Sequence, residues 1–181
     1  RLGVWTLILE ELSRDADLQN VCIDSTVARA HACAAGAGKD SAHQEGLGRS
    51  RGGFGCKIHA VTDSLGLPIK FILTGGQAAD ITQAIPLLKG IKTCVVLADK
   101  GYDADDLLAW LKEQAITAVI PARSNRKEAR TCDWWLYKER HVVECMFGKL
   151  KHYRRVFCRY EKKLCNFMGM VTFAAILLWL R

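Results

Sequence analysis

The run TCVVLAD, residues 93–99, restricts the fold more than any other stretch. Its apolar residues are consecutive rather than alternating, so a strand made from it is covered on both faces. Such a strand belongs to a parallel or mixed sheet with a helical layer on each side. The flanking sequence supplies those layers. ADITQAIPLLKGI (79–91) reads as a helix with Asp80 as its N-cap, bent or shortened by Pro86. DADDLLAWLKEQ (103–114) is an amphipathic helix, and ITAVIPAR (116–123) a further buried strand. Upstream, VWTLILEELSRDADL (4–18) repeats apolar groups at helical spacing, and VCIDST (21–26) reads as a short strand with Asp24 at its end. GCKIHAVTDSLGLPIKFILTGG (55–76) has two β-rich runs around a turn, the pattern of a hairpin. Residues 27–53, rich in Ala, Gly, Ser, His and Lys without periodicity, are expected to form an exposed loop. The expected class is therefore α/β, a mixed β-sheet flanked by helices on both faces. In such sheets reactive groups gather at the ends of central strands, where Asp24 and Asp99 are expected.

A chain of 181 residues, 50% hydrophobic, suffices for one domain with a sizeable core. The apolar run 168–180 is too short to span a bilayer and is expected to be a buried helix, so no membrane association is expected. The eight cysteines form no CxxC pair and several sit in apolar runs, as small hydrophobes do. With no secretory leader in view, reduced thiols and a cytoplasmic location are expected. Charge is the more informative quantity. Between Arg123 and Lys163 there are 13 Lys and Arg against 5 Asp and Glu, while the whole chain carries +7, so the excess positive charge is confined to this block. It is either a solvated helix face or a footprint for phosphates.

Within the block, YKERHVVECMFGKLK (137–151) has a helical pattern. At 100° per residue Tyr137, Arg140, Glu144 and Lys151 share an arc of about 60°, while Val142, Val143, Met146, Phe147 and Leu150 occupy the opposite side. Arg140 and Glu144 alone make an ordinary i,i+4 surface pair. Alongside Asp24 and Asp99, however, Glu144 makes a third acidic group, and three such groups repel unless a hard divalent cation lies among them. His59 and His141 are poorer candidates, because such a site takes oxygen ligands. Ser25 and Thr26 read as groups that cap or orient Asp24, and GGQAAD is too short for a phosphate loop.

VCIDSTVARAH, GRSRGGFGCKIHAVTDSLGLPIKFILTGGQ, VVLADKGYDADDL, VIPARSNRK and YKERHVVECMFGKLKHYRR together resemble the DDE transposases of bacterial insertion sequences, in the family named after insertion sequence five. The resemblance runs from about residue 21 to the C-terminus. Its most specific part is Tyr, two residues, Arg, three residues, Glu, six residues, Lys, met by Tyr137, Arg140, Glu144 and Lys151. It implies an RNase H-like catalytic domain over 21–181 with Asp24, Asp99 and Glu144 as catalytic triad and metal ligands. Residues 1–20 would then be an N-terminal helix left from a shortened DNA-binding region. It further implies two Mg²⁺ ions, replaceable by Mn²⁺, and strand cleavage and strand transfer on double-stranded DNA at the terminal repeats and the target. A homo-oligomer on DNA, in the bacterial nucleoid, is expected. Lys57, Arg123, Arg126, Lys127, Tyr137, Arg140 and Lys151 are the expected DNA contacts. The alternatives are a non-catalytic DNA-binding remnant, an RNase H-like nuclease that cuts without joining, and a module whose basic helix meets an acidic protein.

Overall fold

A computed structural model describes residues 3–35, 45–126 and 130–181. In chain order the elements are α1 (Val4–Leu12), β1 (Asn20–Ala30), β2 (Gly48–Ser50), β3 (Gly53–Thr62), β4 (Pro68–Gly75), α2 (Ala84–Leu88), β5 (Val95–Leu97), α3 (Asp105–Glu113), β6 (Thr117–Val119), α4 (Trp134–Tyr137), α5 (His141–Lys151), α6 (Arg154–Phe157), β7 (Cys158–Arg159) and α7 (Leu164–Trp179). The strands form one mixed sheet. β1 is central, with β3 antiparallel along one edge and, along the other, β5 parallel to its start and β7 parallel to its end. Beyond β3 lie β4 and β2, both antiparallel, and beyond β5 lies β6, parallel.

Each sheet face carries its own core. Cys22, Ala28, Ile58, Leu97 and Val119 meet Val143, Met146, Phe147 and Leu150 of α5 and Phe167, Val171 and Ala175 of α7 on one face. Val21, Ile23, Val61, Val96 and Ala98 meet Leu87 and Leu88 of α2 and Leu107 and Leu111 of α3 on the other. This is the two-sided cover that the unbroken apolar run in β5 demands. α7 is the C-terminal apolar run, buried as core, and among the described residues no helix is long and apolar enough to cross a membrane.

Two expectations are corrected. β1 does not end at Asp24 but continues to Ala30, with Asp24 in mid-strand, because its ladder with β3 extends from Cys22 opposite Thr62 to Arg29 opposite Gly55. Gly55 permits the far end of that ladder, since a Cβ there would stand 2.6 Å from the Ala28 carbonyl oxygen. The segment 27–53 is consequently not one exposed loop. It holds the end of β1, a 3₁₀ turn at Ala32–Ala34 and β2, while residues 36–44 lie outside the described residues.

Asp80, secondly, is not a helix N-cap. Residues Asp80–Gln83 form a 3₁₀ turn, α2 starts at Ala84, and the Asp80 carboxylate turns to Ser25 and Lys57 instead. Pro86 falls in the first turn of this five-residue helix, where the missing N–H costs nothing.

The hairpin tip between β3 and β4 props the helix that carries Glu144. Asp63, buried, accepts hydrogen bonds from the amides of Leu65 and Leu67 at 3.0 and 2.7 Å. Gly66 takes φ +81° there, and a Cβ on it would lie 3.0 Å from Val142 Cβ and 3.1 Å from the Val142 carbonyl oxygen, so only glycine fits.

Candidate active site

The parallel register of β1 and β5 decides where the two aspartates stand. The pairing ends with Cys22 opposite Leu97, so Asp24, two residues on in β1, and Asp99, two residues past Leu97, leave the same end of the ladder, near enough for the charge of Asp99 to act on Asp24. Asp99 is just past the end of β5, where its carboxylate accepts the Gly101 amide at 2.8 Å and starts the 3₁₀ turn Lys100–Tyr102. α5 packs over β1, and Arg140, immediately before it, reaches down. The guanidinium donates to Asp24 Oδ2 at 3.1 Å and to Glu144, joining the two carboxylates by one cation.

Burial pushes the Asp24 carboxyl up from its ordinary value. The Ser25 amide, at 2.7 Å, and Arg140 pull it down, and the neighbouring charge of Asp99 pushes it up further. Burial works against the charge on Arg140, but Asp24, Tyr137, Glu144 and Asp99 together hold it protonated. Tyr102, buried beneath the site, has a hydroxyl with no hydrogen-bond partner among the described residues. Burial and the charges of Asp24, Asp80 and Asp99 push it well up and keep it neutral. Lys151, half-buried further along α5, is pushed down by burial alone.

Two further aspartates, which the sequence did not single out for this, organise the surroundings. Asp80 accepts a hydrogen bond from Ser25 Oγ at 2.7 Å, lies 2.9 Å from Lys57 Nζ and 3.7 Å from His59 Nδ1. Lys57 also donates to the Ala78 carbonyl at 2.7 Å, so its ammonium is engaged within the protein. His59 is wholly buried with Nε2 2.8 Å from Thr74 Oγ1. Burial pushes it down to about 4, which makes it a neutral core histidine. His141 is exposed, with Nδ1 2.9 Å from the Lys138 carbonyl oxygen.

Asp103 has a side chain closed off from solvent and gathers the basic loop after β6. It accepts the Arg123 amide at 2.8 Å, Arg126 at 2.9 Å through each oxygen, and Arg130 at 3.0 Å. Arg126 also pairs with Asp105. Arg123 donates through Nε to the Lys100 carbonyl at 3.1 Å, so its side chain is tied to the turn beside Asp99. Between them lies an open cleft of about 330 Å³ lined by Asp99, Lys100, Gly101, Arg123, Ser124 and Asn125. Lys127 lies outside the described residues.

The Asp103 cluster gives a measurable expectation. Burial raises its carboxyl, yet the hydrogen bonds from Arg126, the Arg123 amide and Arg130 outweigh this and hold it down at about 2, against an ordinary 3.8. A depressed carboxylate stabilises the fold in full above its unfolded value, and that stability is lost as pH falls from about 3.8 through about 2. Asp103→Asn is expected to cost about 1.5–3 kcal/mol at neutral pH, the usual range for hydrogen bonds to a charged group. It also removes this step from a titration of unfolding midpoint against pH.

The donor set of Asp24, Asp99 and Glu144 is all carboxylate oxygen, the chemistry a hard divalent cation selects. In the present arrangement the Arg140 guanidinium occupies the place between two of them. Among the described residues no three Asp, Glu, His or Cys side chains stand close enough to share one ion. The eight thiols are all unpaired, and Cys22 and Cys56 are buried side chains whose thiols burial pushes up.

Taken over nearly its whole length, the chain matches a known domain. The family model described as "Transposase DDE domain" matches residues 15–179. The chain belongs to this family. Its curated relatives include a putative transposase for insertion sequence element IS6501 from Brucella ovis, 47% identical over 127 residues, or 69% of this chain and 98% of that protein. A putative transposase for insertion sequence element IS402 from Burkholderia cepacia is 35% identical over 121 residues, 60% of this chain and 55% of that one. A transposase for insertion sequence element IS1106 from Neisseria meningitidis serogroup B is 35% identical over 102 residues, 53% of this chain and 35% of that one. This DDE domain therefore matches nearly the full length of the first relative and only part of the other two. Among solved structures, piggyBac transposase in a synaptic complex with hairpin DNA superposes with a TM-score of 0.61 at 14% identity, over 96% of this chain and 49% of that one. At that identity the likeness concerns the fold, which is the RNase H-like fold of DDE enzymes.

Proposed function

We propose that this DDE domain cleaves and joins DNA strands at insertion-sequence ends, as a transposase of the insertion-sequence-five group, with Asp24, Asp99 and Glu144 as metal-holding catalytic residues. One observation carries the reading. The β1–β5 ladder ends two residues before Asp24 and Asp99, and Arg140 bonds both Asp24 and Glu144 across the sheet–helix junction, which supports a shared site. Asp24, Asp99 and Glu144 would hold Mg²⁺, two ions with Mn²⁺ as substitute, which would supply Lewis-acid activation of the attacking oxygen and charge stabilisation at the leaving one. The chain's own residues do the rest. Asp24 and Asp99 offer oxygens from positions fixed by backbone pairing. Arg140 holds the carboxylates together and, on turning outward, offsets the charge of a phosphate. Lys151, Arg123 and Lys127 bring further positive charge to the DNA backbone, Arg126, engaged by Asp103 and Asp105, acts by fixing the loop after β6, and Tyr137 packs against a terminal nucleotide. Lys57, engaged by Asp80, acts by fixing β3 and the turn at Ala78 under the site. Residues 21–181 form the catalytic unit, and the domain acts as a homo-oligomer on DNA in the bacterial cytoplasm.

The test is to incubate the chain with end-sequence duplex and Mg²⁺ or Mn²⁺ beside Asp99→Asn, and then to supply pre-cut ends. Nicking and joining by the native chain alone is the expected outcome. Equal nicking by both proteins sinks the enzyme reading in favour of a non-catalytic remnant, and cutting without joining favours an RNase H-like nuclease.

A further inference from the structure

Two tryptophans stand in the open directly before the candidate catalytic helix. Trp134 is 61% and Trp135 80% exposed, in a chain whose other large apolar side chains mostly pack into the two cores. Exposed aromatic side chains placed side by side mark a surface that meets something else. Asp133 fixes them in place by accepting the amides of Trp135 and Leu136, both at 3.0 Å.

The pair is continuous with the acidic site. Trp134 meets Tyr137 edge to face with centroids 5.6 Å apart, and Arg140 lies over the Tyr137 ring at 5.8 Å. Arg140 in turn holds Asp24 and Glu144. Trp134, Tyr137 and Arg140 are spaced three apart along α4 and the 3₁₀ turn at Lys138–Arg140 that follows it, a spacing that puts neighbours on one side of a helix. Lys138 stands over the Trp135 ring at 5.3 Å, so the second tryptophan also carries a cation. Exposed aromatic rings set beside cations, next to the carboxylates of Asp24 and Glu144, have one well-matched occupant: a strand of nucleic acid whose bases are unpaired. The π-faces take bases and the cations take the phosphates between them. Arg140 lies six residues from Trp134, about 9 Å along a helix, which is about three stacked nucleotides at 3.4 Å each.

We propose that Trp134 and Trp135 form a stacking platform for unpaired bases, so that this DDE domain selects DNA whose strand is splayed open within a few nucleotides of the reacting phosphate. The inference rests on the DNA-processing reading above and adds a substrate preference to it. A protein partner is the competing occupant, and the test separates the two.

The experiment measures binding by fluorescence anisotropy in EDTA, so that cleavage plays no part. Three labelled DNAs are compared: a blunt duplex, the same duplex with a short unpaired tail, and that duplex with an abasic tail. The native chain is expected to bind the tailed duplex about tenfold more tightly than the blunt or abasic-tailed forms, the effect of one to two stacked bases. W134A and W135A, both at exposed positions, are expected to abolish that preference while leaving the blunt-duplex affinity and its salt dependence within about twofold. Equal binding to base-bearing and abasic tails overturns the platform, since the tail is then held by charge alone. So does an unchanged preference in both variants, or a change in sedimentation mass on substitution without a change in the preference, which assigns the tryptophans to protein contacts. Failure to bind any of the three DNAs overturns the functional reading together with the platform, whereas binding without preference overturns the platform only.

Discussion

Asp24→Asn is expected to lower metal-dependent strand cleavage by about 10³-fold or more while leaving the protein folded and no less stable. The loss follows from the size of metal-assisted charge stabilisation, several kcal/mol, at about tenfold in rate per 1.36 kcal/mol. The stability expectation follows from the local electrostatics. Burial and the neighbouring Asp99 charge both raise the Asp24 carboxyl, so its charged form is disfavoured where it stands. An amide keeps an oxygen for the Arg140 hydrogen bond now 3.1 Å long and removes the repulsion with Asp99. The variant is expected to unfold within a few degrees of the native chain or above it, the signature of a group retained for chemistry at some cost to stability. Cleavage and thermal unfolding on the same preparation check it. An inactive variant that also unfolds many degrees early shows instead that Asp24 acts through structure.

Arg159→Ala is expected to do the reverse, with its large effect on folding. Arg159 is fully buried and, among the described residues, its guanidinium bonds only to carbonyls: Glu161 and Lys162 at 2.9 Å and Gly46 at 3.4 Å. It also lies 5.3 Å from the centre of the Phe167 ring. Truncation leaves three carbonyls without their donor and a void against α7, which together place the cost at about 3–5 kcal/mol. For a domain of this size that lowers the unfolding midpoint by about 6–20 °C. Arg159→Lys keeps the charge but cannot span three carbonyls set apart in this way, so it is expected to recover only part of the loss. Differential scanning calorimetry on the three proteins decides the matter, and a shift of under 2 °C for the alanine variant would refute the structural role.

The positions of Asp99 at a strand end and Glu144 on a helix were legible because their signals are local. Asp99 interrupts an unbroken apolar strand, and Glu144 falls on the polar arc of a helix whose opposite side is apolar. The hairpin was equally local, two β-rich runs with a turn between them. The roles of the other charged residues depend on partners far along the chain. Arg140 meets Asp24 across 116 residues and Arg126 meets Asp103 across 23. Composition alone therefore placed Arg126 with DNA contacts without revealing its engagement by Asp103. Asp80 sits where an N-cap is ordinarily found, and only the pairing of β1 with β3, which sets Ser25 opposite His59 and Val27 opposite Lys57, shows the site to which its carboxylate is drawn. β1 itself was read too short, because Ser, Thr and Ala after Asp24 gave no apolar alternation, and the paired neighbour that holds them is 30 residues away. Arg159, in the polar stretch RYEKK, gave no sign of burial at all.

The central strand is tied on both sides, to β3 along nearly its whole length and to β5 and β7 at its two ends. Asp24 in its middle is thus the datum of the site, a point that shifts only if the sheet itself tears. Glu144 hangs from a jointed helical rod, with the 3₁₀ turn at Lys138–Arg140 as its knuckle. If the proposed reaction runs through stages of different shape, mutations at that turn are expected to alter its pacing and mutations in the strand to abolish it.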